Sequence, residues 1–385
     1  MRTPRSGRNR ADDQLRERLV ERLRAYAEID AVAGHEQPMV ARLRADLTPH
    51  VDDVFIDSFG NIVATRRAPA DAPSLMIAAH SDEIGGVVKA VEPDGMIRFE
   101  RLGGIIESLL VGRAVRVKEH AGVVGAKAGH ITPPAERLGV PPLRDLYIDL
   151  GFDSADEVTA LGIEVGDPIA YEAPLRALAN PDRFSGKALD NRIGCAILVE
   201  LAISLKDERP PATLHFVSTV QEEIGLRGAQ MITHRLNPTA AIVLDTMPSG
   251  GTPDVSASRD LSMRIGHGPV VTVVSQGSGG GIIVQPAILN FMLKVAAANH
   301  IPVQRALFYG GNSDAAAVHL VRAGVPTGVL NLARRYSHAP VETLDINDAV
   351  SAYHILRAAA LEFSAATDLS FLGGTPDQEI ATKTD

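Results

Sequence analysis

Leu75-Met76-Ile77-Ala78-Ala79 runs directly into His80-Ser81-Asp82-Glu83. A short unbroken apolar run bounded by polar residues fits a strand buried on both faces, as in a parallel sheet. Ionisable side chains follow at its carboxyl end. The pattern recurs further along. Residues 213–220 lead into Gln221-Glu222-Glu223, residues 241–244 into Asp245, and residues 327–332 into Arg335-Tyr336-Ser337-His338. A further apolar strand is expected over 270–274. Helical spacing of apolar residues appears over 12–29, 37–47, 190–205, 285–298, 314–323 and 346–363. Strands alternating with helices predict an α/β fold, with a mixed, mainly parallel sheet flanked by helices.

The stretch 88–171 has another texture. It is rich in Gly and Pro and carries short alternating runs such as Ala114-Val115-Arg116-Val117-Lys118. That reads as a small β-barrel-like domain inserted into the larger one. The expected boundaries are 1–87 with 178–385 for the catalytic domain and 88–177 for the insertion. Residues 55–65 read as a hairpin or bent strand around Gly60 and Asn61. The ends, 1–11 and 374–385, are polar and read as frayed.

Composition narrows the function classes. The chain has 385 residues, enough for two or three domains at roughly 150 residues each. Its one cysteine, Cys195, excludes an internal disulfide framework and any metal site built on several cysteines. A net charge of -9 argues against a nucleic-acid partner, which needs a basic footprint. No apolar run is long enough to span a membrane. The basic first residues lack the apolar core of a signal peptide, so the expected location is the cytoplasm.

In an open α/β sheet, ligands bind outside the carboxyl ends of the strands. His80, Glu222, Glu223, Asp245 and His338 should therefore converge, joined by Asp190 from the start of the helix after the insertion. Each has an ordinary structural reading alone: a capping histidine, a helix N-terminus favoured by its dipole, a turn cap, an N-cap. Together, imidazoles and carboxylates in a nearly cysteine-free chain suit hard-to-borderline divalent metals. Five candidate ligands (His80, Asp190, Glu223, Asp245, His338) exceed what one catalytic ion needs. They suit two ions sharing a carboxylate, an arrangement that clamps attacking and leaving oxygens and acidifies a water. In the Glu222-Glu223 pair, one carboxylate could bind metal while its neighbour takes the proton.

Several segments resemble the M42 metallopeptidases, the glutamyl-, leucyl- and lysyl-type aminopeptidases that form tetrahedral dodecamers. They are Ala79-His80-Ser81-Asp82-Glu83-Ile84-Gly85, Ala188-Leu189-Asp190-Asn191-Arg192-Ile193-Gly194, Gln221-Glu222-Glu223-Ile224-Gly225, Val243-Leu244-Asp245, Gly310-Gly311-Asn312-Ser313-Asp314-Ala315, and Arg335-Tyr336-Ser337-His338-Ala339-Pro340-Val341-Glu342. The resemblance implies that His80, Asp190 and Asp245 hold one metal, and that Asp190 bridges to a second held by Glu223 and His338. It makes Glu222 the general base. It places Asp82 behind His80, accepting the other ring N–H. It also implies a zinc-peptidase-like catalytic domain, a cis peptide after Asp190, a barrel that mediates dimerisation, and homo-oligomers up to a dodecamer. The implied cofactor is a pair of divalent ions, zinc first, with cobalt or manganese as alternatives. The implied substrates are short peptides cleaved at the N-terminal residue.

The chain departs from the family pattern at three places. Asn191 stands where many relatives carry Asp, Ser81 where Met is common, and Asn312-Ser313 where Gly-Thr or Thr is common. Ser81, Asn312 and Ser313 are read as candidate pocket positions. The other function classes weighed are a non-peptide amidase or deacylase on the same scaffold, an endoglucanase-labelled hydrolase, and a catalytically silent assembly protein. Residues 277–281 (Gly-Ser-Gly-Gly-Gly) lack the phosphate-loop fingerprint and are expected to form a flexible loop near the site.

Overall fold

The computed structural model describes residues 10–135, 139–277 and 280–372. The ends read as frayed lie mostly outside this set; Arg10 and Ala11 fall inside the first helix. The chain opens with helices α1 (Arg10–Ala27) and α2 (Gln37–Leu47), a hairpin of β1 (Asp53–Ile56) and β2 (Ile62–Arg66), and strand β3 (Ser74–His80). Strands β4 (Gly85–Val91), β5 (Ile97–Leu102), β6 (Ala114–Val117), β7 (His120–Gly125), β8 (Tyr147–Asp149) and β9 (Pro168–Tyr171) follow, with the short helix α3 (Ala155–Ala160) before β9. Next come β10 (Arg176–Ala177), β11 (Arg183–Gly186), α4 (Leu189–Ser204), β12 (Thr213–Thr219), α5 (Arg227–Leu236) and β13 (Ala240–Pro248). The last part holds β14 (Val270–Gly277), β15 (Gly280–Ile283), α6 (Pro286–Ala298), β16 (Gln304–Tyr309), α7 (Ala315–Val318), β17 (Thr327–Arg334), β18 (Glu342–Asp345) and α8 (Ile346–Glu362).

A nine-stranded sheet runs β1-β2-β12-β3-β13-β17-β14-β15, with β16 paired to β14. Its centre is parallel: β12 with β3, β3 with β13, and β13 with β17. Toward the flanks the pairs β1–β2, β2–β12, β17–β14 and β14–β15 are antiparallel, while β16 runs parallel to β14. The sheet is therefore mixed, mainly parallel at the middle. Strands β13 and β17 are buried almost end to end, which explains their unbroken apolar sequences. Helix α4 is apolar on nearly all sides because it packs between α1, α8 and the sheet.

Strands β4 to β9 close into a barrel in the order β4-β5-β8-β7-β6-β9. Here the sequence alternates, so that Ile97, Val115, Val117, Val124, Ile148 and Ile169 fill the inside. A small third sheet, β10-β11-β18, lies where the chain returns from the barrel.

Several elements differ from the sequence reading. Strand β13 continues through Asp245 to Pro248, so Asp245 lies within the strand and not after it. Of the stretch read as a loop at 277–281, Gly277 ends β14 and Gly280 and Gly281 begin β15, paired antiparallel to it; residues 278 and 279 lie outside the described set. Strand β16 had no expectation at all. The helix expected over 314–323 is only α7; past Val318 the backbone closes i→i+3 turns at Leu320 and Val321, and Arg322 and Gly324 then take positive φ.

Candidate metal centre and active site

The carboxyl ends of β3, β12, β13 and β17 face one crevice of about 670 Å³. Asp190, Glu222, Glu223, Asp245, Arg334 and His338 line it. His80 ends β3 beneath them and is buried. The peptide after Asp190 is cis, and both Asp190 and Asn191 leave helical geometry within α4. Asn191 donates from its amide to the Leu244 carbonyl at 2.8 Å and accepts from the Gly194 N–H at 3.1 Å. A Cβ at Gly194 would lie 2.3 Å from the Asn191 side-chain oxygen, so only glycine fits there.

Asp190 is the hub. Its Oδ1 is 3.2 Å from His80 Nε2, and its Oδ2 is 3.6 Å from His338 Nε2. Asp245 Oδ1 lies 3.5 Å from His80 Nε2, and Glu223 Oε2 lies 3.5 Å from His338 Nε2. Two sets of ligand atoms result, His80–Asp190–Asp245 and Asp190–Glu223–His338, each within 4.8 Å mutually. They share Asp190 through its two different oxygens. His80, Glu222 and Glu223 form a third such set.

Both histidines turn the same way. His80 Nδ1 is 3.2 Å from the Asp82 carbonyl oxygen and His338 Nδ1 is 2.7 Å from the Gly104 carbonyl oxygen. A carbonyl only accepts, so each Nδ1 must carry a proton, and Nε2 is the ring nitrogen that faces the carboxylates and that a cation would take in place of its proton. This is the tautomer a metal ligand needs. The Asp82 carboxylate does more than the resemblance implies. Its Oδ1 is 3.5 Å from His80 Nδ1, farther than its own main-chain oxygen. Its two oxygens accept the backbone N–H groups of Glu222 and Glu223, each at 3.0 Å. Asp82 thus fixes the glutamate pair as well as backing the histidine.

Burial dominates the electrostatics. It pushes the Glu222 carboxyl well above the ordinary range, opposed by His80 and reinforced by Asp245 and Glu223. It pushes Glu223 up to about 8, with His338 opposing and Asp190 adding. Asp245 is raised, again chiefly by burial. Asp190 goes the other way: burial is outweighed by Arg334, His338 and His80, and its carboxyl falls well below the usual value. The His338 ring, 36% exposed to the crevice, is pushed up to about 9 because Glu223 and Asp190 overcome desolvation. Four buried carboxylates therefore crowd a space with few fixed cations. Buried carboxylates that bind protons for want of a cation, set beside imidazole donors, fit divalent cations, which would take the protons' place.

His80, Asp82, Asp190, Glu222, Glu223, Asp245 and His338 meet here. Three of the pocket expectations separate. Asn312 lines the crevice, whereas Ser81 is fully buried with its hydroxyl donating to the Thr219 carbonyl, and Ser313 is buried off the wall. Ser81 is therefore no pocket residue. Three residues had been given no role. Asp314 is buried behind the cluster, accepts from the Thr219 hydroxyl, and is pushed up to about 7, mainly by burial. Arg334 donates to Asp190 and to Glu342. Glu342 in turn accepts the backbone N–H groups of Asp190 at 3.1 Å and His338 at 3.2 Å. The Arg334-Arg335 pair closing an apolar strand is a partial signal for the guanidinium alone, since it does not say which of the two turns inward.

A parallel-centred sheet with this cluster on its strand ends, and a barrel inserted after its third strand, defines the class as a peptidase of α/β architecture. The chain belongs to the M42 peptidase family: the M42 glutamyl aminopeptidase model matches residues 60–355. The glutamyl aminopeptidase of Lactococcus lactis subsp. cremoris is 32% identical over 353 residues, covering 88% of this chain and 95% of that one. Among solved structures, an aminopeptidase of the archaeon Desulfurococcus kamchatkensis aligns with a TM-score of 0.88 at 31% identity, over 94% of this chain and 99% of the other. The Pyrococcus horikoshii TET1 peptidase, which can assemble into a tetrahedron or a large octahedral shell, aligns with a TM-score of 0.79 at 28% identity, over 90% and 100% of the two chains. Among the described residues no helix is long and apolar enough to cross a membrane.

Proposed function

We propose that this chain is an aminopeptidase that removes the N-terminal residue of short peptides with the help of two divalent metal ions. His80, Asp190 and Asp245 would hold one ion, and Asp190, Glu223 and His338 the other. The observation that carries this reading is the pair of Nε2 atoms set against opposite oxygens of Asp190. When bound, such an ion pair supplies Lewis acidity, polarising the scissile carbonyl and acidifying the attacking water.

The protein's own groups do the rest. Glu222 lines the crevice without belonging to either of the two sets that share Asp190. Its carboxylate accepts a proton from the attacking water and delivers it to the leaving amine nitrogen. Asp82 keeps Glu222 in place through the backbone N–H it accepts. Zinc is the first choice of metal, with cobalt and manganese compatible with the same donors. The barrel is proposed as the dimerisation element of a homo-oligomer, supported by Val111, Val123, Ile131 and Val140 lying exposed in that part of the chain.

The test is a panel of aminoacyl chromogenic substrates run beside N-blocked peptides, on protein first stripped of metal and then reloaded. Cleavage of free N-termini that disappears with chelator and returns with zinc, cobalt or manganese is expected. Preference for blocked peptides, or activity indifferent to chelator, would refute the reading.

A further inference from the structure

The two ligand sets are not equivalent, and the difference lies in one side chain outside both. Arg334 ends β17 and is buried. Its Nε donates to the Thr246 hydroxyl, one terminal nitrogen donates to Glu342, and the other donates to Asp190. The Asp190 oxygen it meets is Oδ2. That is the oxygen turned toward His338, whereas Oδ1 faces His80. A fixed positive charge therefore sits on one end of the shared carboxylate only.

We propose that Arg334 is a positioning residue that makes the two cation sites unequal, weakening the Asp190–Glu223–His338 site relative to the His80–Asp190–Asp245 site, so that the ions bind in order and the second stays exchangeable. This rests on the reading that both sets hold divalent cations. A guanidinium does not lose its proton in a protein, so the charge is permanent. An oxygen that already accepts a charge-assisted hydrogen bond donates less to a cation. The repulsion between guanidinium and ion is weakly screened in a buried site. Glu342 accepts from the other terminal nitrogen, so it balances the guanidinium without removing it from Oδ2. Glu342 also anchors the main chain of Asp190 and of His338. Arg334 and Glu342 thus touch the second site directly, at Oδ2 of Asp190 and at the main chain of His338, and the first site less directly, through the Asp190 main chain and through Thr246 beside Asp245.

The experiment is a titration of the metal-free full chain with zinc against a chromophoric chelator, without reference to turnover. The wild type should bind two ions per chain, the second at least about tenfold more weakly than the first. In Arg334→Met the second affinity should rise by about tenfold while the first moves less, closing the gap. Arg334→Lys, which keeps the charge, should keep the gap. Glu342→Gln, which removes the counter-charge and keeps one carbonyl oxygen for the Arg334 and His338 donors while giving up the acceptor of the Asp190 N–H, should widen it. Equal affinities in the wild type overturn the proposal, and so does an unchanged gap in a folded Arg334→Met. If Arg334→Met does not fold, Glu342→Gln decides, and a gap that fails to widen overturns the proposal. A chain that binds no zinc overturns the metal reading beneath it, a result distinct from two equal sites.

Discussion

The nine-stranded sheet and the six-stranded barrel are made by one chain under opposite rules. In the centre of the sheet the strands run parallel, so their carboxyl ends share an edge and His80, the Glu222-Glu223 pair, Asp245 and Arg334 collect there. In the barrel all six strands pair antiparallel, so successive ends alternate between its two rims. No comparable ligand set forms among its described residues. The barrel reaches the crevice through Gly104, which follows β5. Direction of pairing, more than composition, decides where chemistry gathers.

Four experiments press on this division. The largest effect is expected for Glu222→Gln, which should lower kcat on the order of 10²–10⁴-fold while zinc content per chain stays at the wild-type value. Retained turnover would remove Glu222 from the reaction. Next is the barrel core. Ile148→Ala, at a fully buried position, should destabilise the chain by about 2–5 kcal/mol in urea unfolding but leave zinc affinity intact. A matching fall in zinc affinity would erase the separation of the two regions.

A third effect belongs to the sheet away from the site. His215 on β12, bonded to Thr65, has its imidazole pushed down to about 4 by burial, with Arg67 adding. Because the folded value is below the unfolded one near 6.5, the unfolded chain binds the extra proton between them. Stability is then complete above about pH 6.5 and falls as pH drops toward 4, by at most about 3 kcal/mol. His215→Gln should flatten that part of a stability–pH curve measured on metal-free protein; an unchanged slope would assign it elsewhere. The smallest effect tests the contact between the regions. A Cβ at Gly104 would lie 3.0 Å from His338 Nδ1. Gly104→Ala should weaken the second zinc by roughly 10-fold or more through the displaced ring, with the first unaffected.

The central strands and the five candidate ligands were legible because a buried parallel strand leaves an unbroken apolar run, and a charged residue at its end breaks that run visibly. His80 and Glu222-Glu223 are marked in this way. The edge of the sheet was not legible. Strands β15 and β16 are half exposed, with Ile283, Leu307 and Tyr309 facing out, so burial does not pattern them. Arg334 was missed for a different reason. A buried guanidinium is defined by three partners far apart in sequence, and nothing local distinguishes it from the neighbouring Arg335, which is not among the buried side chains.

The Gly104 carbonyl has a wider consequence. One imidazole of the crevice takes its bearing from the stretch of chain that joins two barrel strands. A load that displaced this carbonyl would turn the ring with it, and by linkage whatever held the ring would resist that displacement.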